Sequence, residues 1–134
     1  MSNIICDKTY NFAIRIVKLV CYLQKEKKEY IMSKQLMRSG TSPGAFTREA
    51  EHAQSKKDFI NKMSIGLKEI NETNYWLCLL RDTNSIKEKE FRSINDDCIE
   101  ILKIMVKIVK TSKENLKANL KETKFSIFNF QFLI

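Results

Sequence analysis

The sequence predicts an all-α protein folded as an antiparallel up-and-down four-helix bundle. Three glycines and one proline among 134 residues are too few for the many turns of a β-protein. Apolar residues also recur every three or four positions along four long segments, which places them on one face of a helix. We predict one domain over residues 1–124, followed by a tail of different character at 125–134.

The first two helices are predicted over residues 7–26 and 33–54. Asp7 and Ser33 are suitable N-caps for them, because a short polar side chain can accept a hydrogen bond from the first free backbone amides. Gly40, Pro43 and Gly44 interrupt the second pattern, and local propensity alone would break the helix there. The inward face of the first helix is predicted to carry Phe12, Ile16, Val20 and Leu23.

The third helix is predicted over residues 55–82, with Ser55 and Asp58 forming the S-x-x-D pattern of a capping box. It carries two apolar faces. One holds Met63, Ile70 and Leu77 and suits a core, whereas the other holds Ile65, Trp76 and Leu79. A surface helix needs only one apolar face, so this helix either lies centrally in the bundle or shares its second face with another subunit. Of the two, we predict the shared face and therefore a homo-oligomer.

The fourth helix is predicted over residues 86–120, with an inward stripe and an outward run of lysines. The lysines recur every three or four positions and fall within an arc of about 120° on a helical projection. The segment 103–124 carries a net charge of +5, out of +8 for the whole chain. This face is either a solvated surface or a binding surface. The inward residues are Ile94, Cys98, Ile101, Leu102, Met105 and Val109, and the lysines are Lys103, Lys107, Lys110, Lys113, Lys117, Lys121 and Lys124.

The tail at 125–134 holds four phenylalanines and no charge, and its apolar residues alternate roughly with polar ones. Alternation is typical of a strand rather than of a helix. We expect the tail to be disordered or docked, either as an added strand or on a neighbouring subunit.

Charge and cysteine content limit the location and the partners. A pI near 9.4 favours an anionic partner, because lysine and arginine gain affinity by displacing counterions from nucleic-acid phosphates. The four cysteines form no C-x-x-C pair, and we find neither a secretion signal nor an uncharged stretch long enough to span a membrane. We therefore expect a cytoplasmic protein with reduced thiols and no membrane partner.

The sequence offers little for catalysis. Glu49 and His52 have the E-x-x-H spacing of a di-iron ligand pair, but His52 is the only histidine and a second pair cannot form. No glycine-rich phosphate loop is present. We predict no enzyme activity, no metal and no cofactor. One enzymatic alternative remains, in which Glu49, Glu69 and Glu72 cluster near His52 or Arg48.

One segment carries a family resemblance. Residues 38–45 read R-S-G-T-S-P-G-A, followed by Arg48-Glu49-Ala50, then by Lys68-Glu69 and Glu72-Thr73. These motifs, within a match from Asp7 to Leu116, resemble the four-helix bundle proteins of bacterial 23S rRNA intervening sequences, also called S23 ribosomal protein-like. That family is similar to the accessory variability determinant of diversity-generating retroelements.

The resemblance implies features that the residues alone do not. It implies a homopentamer that binds nucleic acid and, in the retroelement relative, a reverse transcriptase. It also implies that Pro43 lies within a kinked second helix, where Ser39, Thr41 and Ser42 can satisfy the backbone groups freed by the proline. Many members have Asn where this sequence has Phe46, which puts a polar role of that position in doubt.

We therefore predict a non-catalytic oligomer that binds RNA, or another nucleic acid, through phosphate contacts. The alternative is a protein-interaction scaffold, for example for a polymerase or reverse transcriptase, with no direct nucleic-acid role. The candidate nucleic-acid-binding residues are Arg15, Lys18, Lys25, Arg38, Arg48, Lys103, Lys107, Lys110, Lys113 and Lys117.

Overall fold

The computed structural model describes residues 2–133, and the side chains of residues 4–131. Four helices make up this part of the chain, which contains no strand. They are α1 (Ser2–Lys25), α2 (Met32–Glu51), α3 (Lys56–Asp82) and α4 (Glu88–Leu133). Each helix packs against the next, and α1 also contacts α4. The prediction of an all-helical, four-helix protein is confirmed.

The helices run antiparallel, as the hydrogen bonds between them show. Near the start of α1 the Thr9 hydroxyl lies 3.1 Å from the Thr47 hydroxyl, late in α2. Near the end of α1 the Gln24 side-chain amide donates to the Ser33 hydroxyl at 3.3 Å, early in α2. Two contacts for each remaining pair of helices also run in opposite directions: Ser39–Thr73 and Glu49–Lys62 across α2 and α3, Asn74–Asn95 and Ile70–Cys98 across α3 and α4, and Arg15–Asp97 and Lys8–Glu100 across α1 and α4. The chain therefore forms an up-and-down bundle.

The predicted inward stripes form the core. Phe12, Ile16, Val20 and Leu23 of α1 are all buried, as are Met63, Ile70 and Leu77 of α3. On α4 the buried residues are Phe91, Ile94, Cys98, Ile101, Met105 and Val109, with Leu102 partly buried beside them. The periodicity therefore identified the core faces correctly.

Helix α2 continues through Pro43 without a break. The Thr41 hydroxyl donates to the carbonyl of Met37 at 2.6 Å, and the Ser42 hydroxyl donates to the carbonyl of Arg38. Both carbonyls lie just before that of Ser39, which proline deprives of its amide donor. The kink itself stays a prediction.

The start of α2 differs from the prediction. The Glu29 carboxylate, rather than Ser33, accepts hydrogen bonds from the backbone amides of Ile31 (3.1 Å), Met32 (2.9 Å) and Ser33 (2.8 Å). The Ser33 hydroxyl instead donates to the Glu29 carbonyl at 2.8 Å. A carboxylate at this end also interacts favourably with the helix dipole.

The start of α3 agrees with the prediction. The Ser55 hydroxyl accepts from the Asp58 amide at 3.0 Å, and the Asp58 carboxylate accepts from the Gln54 amide at 3.2 Å. The predicted capping box is therefore confirmed, with the return bond reaching one residue further back than usual.

Two predicted helix ends are wrong. Helix α1 begins at Ser2, so Asp7 lies inside it and is not its cap. Helix α4 does not end near residue 120 but continues to Leu133. Residues 125–133 are thus helical, rather than disordered or in a strand, while docking on a neighbouring subunit stays a prediction.

In the described part of the chain, no helix has an apolar stretch long enough to cross a bilayer.

Candidate nucleic-acid interface

The lysine face of α4 consists of Lys103, Lys107, Lys110, Lys113 and Lys117, and all five side chains are exposed. The buried stripe of α4, centred on Ile101 and Met105, faces the core, and the helical repeat turns these lysines to the opposite side. Within residues 4–131 no carboxylate lies in ion-pairing distance of any of them. Five ammonium groups are therefore available on one surface.

Arg15 of α1 is already bound within the chain. Its Nη1 donates to the Asp97 carboxylate at 2.7 Å and to the Ser93 carbonyl at 3.1 Å, while Nη2 donates to the Ser93 hydroxyl at 2.8 Å. These contacts join α1 to α4. A phosphate would have to compete with a carboxylate for this guanidinium, so the Arg15 site differs from the free lysines.

Arg38 of α2 is held in the same way by α3. Its Nη1 donates to Glu69 at 2.7 Å, and its Nη2 binds Glu72. Glu72 also accepts from the Trp76 indole at 2.9 Å. Beside this network the Thr73 hydroxyl donates to the buried Ser39 hydroxyl at 3.1 Å. The motif residues therefore contact one another across α2 and α3.

Gly40 of the same motif allows α2 to approach α1. A Cβ atom added at Gly40 would lie 2.7 Å from Ile16, which is too close, whereas one added at Gly44 would lie 3.5 Å from the Thr9 carbonyl oxygen, an ordinary van der Waals contact. Phe46, on another side of α2, lies next to Gly66 of α3 and is partly buried. It therefore contacts the bundle itself.

The other three basic candidates lie in different places. Lys18 is exposed and lines an open groove of about 740 Å³ between α1 and α4, together with Tyr22 and Lys89. Lys25 is exposed in the last turn of α1. The Arg48 guanidinium lies 5.2 Å from the centre of the Tyr10 ring, in a cation–π contact. The structure does not gather the ten candidates into one surface.

The predicted interface residues Ile65, Trp76 and Leu79 are each partly buried by their own chain. The Trp76 ring also makes an edge contact with Tyr75, with centroids 5.1 Å apart. These residues therefore present less apolar surface than the sequence pattern indicates.

The structure shows a second apolar stripe on α1 that the sequence analysis did not predict, and we call it the α1 stripe. It consists of Tyr10, Ile14, Val17 and Cys21, and all four side chains are exposed. Their spacing of four, three and four residues places them on one helix face. That spacing is visible in the sequence, but the stronger core stripe of the same helix obscured it.

The acidic residues considered for catalysis bind different partners. Glu69 and Glu72 contact Arg38, whereas the Glu49 carboxylate lies 4.0 Å from the Lys62 ammonium. His52 lines a separate open pocket with Cys6 and Arg48. Burial raises the pKa of the Cys6 thiol, which disfavours the nucleophilic thiolate. Over residues 2–133 no group of three or more His, Cys, Asp and Glu residues is placed to hold a metal ion.

Comparison with known proteins agrees with this architecture. The family model described as 23S rRNA-intervening sequence protein matches residues 1–107. A crystal structure of a protein of unknown function from the S23 ribosomal protein family, from Bacteroides thetaiotaomicron, is 54% identical to the chain with a TM-score of 0.80. The match covers 81% of this chain and 97% of that one. No curated protein matches. The chain therefore belongs to the family of 23S rRNA-intervening sequence proteins.

Proposed function

We propose that this protein is a non-catalytic, basic helical-bundle protein that binds RNA through its phosphates, with the lysine face of α4 as the main contact surface. One observation carries the proposal. Five lysines lie exposed on one side of α4 and have no carboxylate partner among the described residues. Arg15 and Arg38, in contrast, are neutralised within the chain, so we leave them out of the proposed surface.

The chemistry of lysine favours phosphate contacts over base readout. An ammonium group is a compact charge on a flexible stem, and it lacks the fixed fork with which arginine recognises guanine. A row of lysines about 21 Å long, from Lys103 to Lys117, can follow a backbone of phosphates without specifying a sequence. The family description refers to 23S rRNA, and RNA is therefore the ligand to test first.

The test is RNA binding by a charge-reversed double variant, Lys107→Glu with Lys110→Glu. We expect affinity for a labelled single-stranded RNA to fall by at least tenfold at low salt, because two phosphate contacts become repulsions. Fluorescence anisotropy measures it. The matched control is Lys56→Glu with Lys57→Glu, which changes the same charge at two exposed lysines at the start of α3.

A salt titration completes this test. If lysine–phosphate contacts carry the binding, the logarithm of the affinity falls linearly with the logarithm of salt, with a slope of roughly 0.7 per contact for a single strand. A neutral Lys107→Gln, Lys110→Gln variant should lower that slope by about 1.4. An affinity that does not depend on salt, or an equal loss in the control variant, contradicts the proposal.

We also propose that the protein is a homo-oligomer, with the pentamer implied by the family resemblance as the first arrangement to test. Two apolar surfaces support self-association: the α1 stripe and the face of α3 that bears Ile65, Trp76 and Leu79. The exposed α1 stripe equally favours the second candidate function, a scaffold for another protein. In that case a partner would copurify even after nuclease treatment, and the Lys107, Lys110 variants would retain it.

A further inference from the structure

The open groove between α1 and α4, which we call the α1–α4 groove, lies near the end of α1 and the start of α4. Its floor is apolar, because Ile86 and Ile94 are buried there and Leu19 is partly buried. The Tyr22 side chain, which is 37% exposed, forms part of its wall. The volume of about 740 Å³ falls within the range of about 300–1,000 Å³ that is usual for ligand clefts.

The charges that line the α1–α4 groove favour an anion. Lys18 and Lys89 are exposed, and neither lies in ion-pairing distance of a carboxylate within residues 4–131. The Arg15 guanidinium also lines the groove, but Asp97 neutralises it. The two free ammonium groups outweigh the carboxylate of Glu90, which lies on the α4 side.

The two lysines and Tyr22 lie close together along the bundle axis. Lys18 and Tyr22 are four residues apart, so they share one face of α1 and are separated by about 6 Å along its axis. On the other side of the groove, the hydrogen bond from Arg15 to the Ser93 carbonyl relates α1 to the antiparallel α4. Four residues further in these opposite directions, Lys89 lies level with the turn between Lys18 and Tyr22.

We propose that the α1–α4 groove binds a nucleoside phosphate, which is either one nucleotide of a single-stranded RNA or a free mononucleotide. The base lies against the Tyr22 ring and the apolar floor, and the phosphate lies between the ammonium groups of Lys18 and Lys89. Every base has a face that stacks on an aromatic ring, and lysine binds phosphate as a point charge. A small inorganic anion would use the lysines alone. The groove includes no residue of the lysine face, and only the RNA form of the proposal rests on the proposed function.

Equilibrium dialysis of the protein against radiolabelled adenosine monophosphate (AMP) tests the stacking contact. We expect AMP to bind at least about tenfold more tightly than adenosine or inorganic phosphate, because each of these lacks one of the two contacts. Tyr22→Leu should lower the AMP affinity by about tenfold, and Tyr22→Phe should retain it, since only leucine lacks a ring. The matched control is Tyr75→Leu, at an exposed tyrosine (58%) of α3.

A second set of variants tests the charges. Lys18→Gln with Lys89→Gln should lower the AMP affinity by about tenfold, through loss of both charged contacts to the phosphate. Glu90→Gln should raise it by about two- to threefold, because a repulsion is removed. Damage to the fold cannot produce such a gain. Lys56→Gln with Lys57→Gln is the control, at two exposed lysines of α3.

A single-stranded trinucleotide with hydroxyl groups at both ends distinguishes the two sources of the ligand. If the groove takes RNA, this strand binds at least as tightly as AMP. If the groove takes a free mononucleotide, the strand binds much more weakly, because it lacks the terminal phosphate. The measurement uses the Lys107→Glu, Lys110→Glu variant, so that the lysine face does not contribute. Wild-type protein that binds AMP but no long RNA would contradict the proposed function and leave the groove as a mononucleotide site.

Three results would overturn the nucleotide proposal. The first is AMP that binds no more tightly than inorganic phosphate, which would reduce the groove to an ionic surface. The second is an equal loss of AMP affinity in Tyr22→Leu and Tyr75→Leu, which would place the nucleotide elsewhere. The third is a Glu-Phe-Glu peptide that binds more tightly than AMP and depends on Tyr22, which would identify a site for acidic peptides.

Discussion

At the scale of single residues, two helical glycines face neighbours of different stiffness. A Cβ atom at Gly40 would lie 2.7–3.0 Å from three carbons of Ile16, a fully buried, β-branched side chain. A Cβ atom at Gly66 would lie 2.7 Å from the terminal methyl of Met105, the far end of a flexible side chain. The first neighbour cannot change rotamer freely in a closely packed core, whereas the second can.

We expect Gly40→Ala to lower the free energy of unfolding by about 1–2 kcal/mol, because overpacking exceeds the gain in helix propensity. Gly66→Ala should change it by less than about 1 kcal/mol, in either direction. Urea denaturation followed by circular dichroism measures both. Equal destabilisation of the two variants would show that Met105 has no space into which to move.

The buried thiol of Cys98 predicts how the free energy of unfolding depends on pH. Burial raises the pKa of its thiol to about 12, from an ordinary value of 9.0, and the thiol lies 3.5 Å from the Ile70 carbonyl oxygen. Below pH 9 both folded and unfolded chains hold the neutral thiol, so this contribution is constant. From pH 9 to 12 only the unfolded chain ionises, and the free energy of unfolding falls by up to about 1.4 kcal/mol per pH unit.

The measurement is the difference in unfolding free energy between wild type and Cys98→Ala as pH rises. That difference should shrink above pH 9, since the variant lacks the ionising group. Cys21→Ala is the control, because Cys21 is exposed. A difference that is the same at pH 8 and pH 11 would mean that Cys98 ionises in the folded protein.

At the scale of the elements, the start of α2 depends on one side chain that reaches it from the preceding loop. Glu29 accepts three backbone amides. We expect Glu29→Ala to lower the free energy of unfolding by about 1–2 kcal/mol, through loss of the cap and of the favourable charge at the helix N-terminus. Thermal unfolding measures it.

Glu26→Ala is the matched control for this prediction, because Glu26 is exposed in the same loop and no hydrogen bond of its side chain appears among the described residues. Glu29→Gln keeps one acceptor oxygen and should fall between the two. If Glu29→Ala and Glu26→Ala unfold at the same temperature, the amides of residues 31–33 are satisfied equally well by water.

The helix ends were predicted unevenly, for local reasons. The box of Ser55 and Asp58 was recognisable because both partners are close in sequence. The Glu29 cap was not, since Glu29 lies outside the usual capping position and Ser33 offered a commoner solution. The end of α4 was predicted incorrectly because the alternating phenylalanines at 125–134 indicate a strand or loop. The absence of any glycine or proline after Gly66 is the sequence feature that agrees with a helix continuing to Leu133.

At the scale of the whole molecule, the apolar surfaces predict self-association. We expect the protein at micromolar concentration to have a mass above that of the 15.8 kDa monomer in sedimentation or light scattering. Ile14→Ser with Val17→Ser should lower the mass more than Ile65→Ser with Leu79→Ser, because the α1 stripe exposes more apolar surface. A wild-type monomer would contradict the oligomer, and the reverse order of the variants would identify the α3 face as the interface.

The sequence by itself determined the helical class, the inward stripes of α1, α3 and α4, and the lysine face of α4. Each depends on a repeat of 3.6 residues, which is a property of one segment. Only the tertiary structure decided which charges remain free. Arg15 binds residues about eighty positions away on α4, and Arg38 binds Glu69 and Glu72 on α3. A charge pattern cannot reveal such pairing, because the partners become neighbours only when the helices pack side by side.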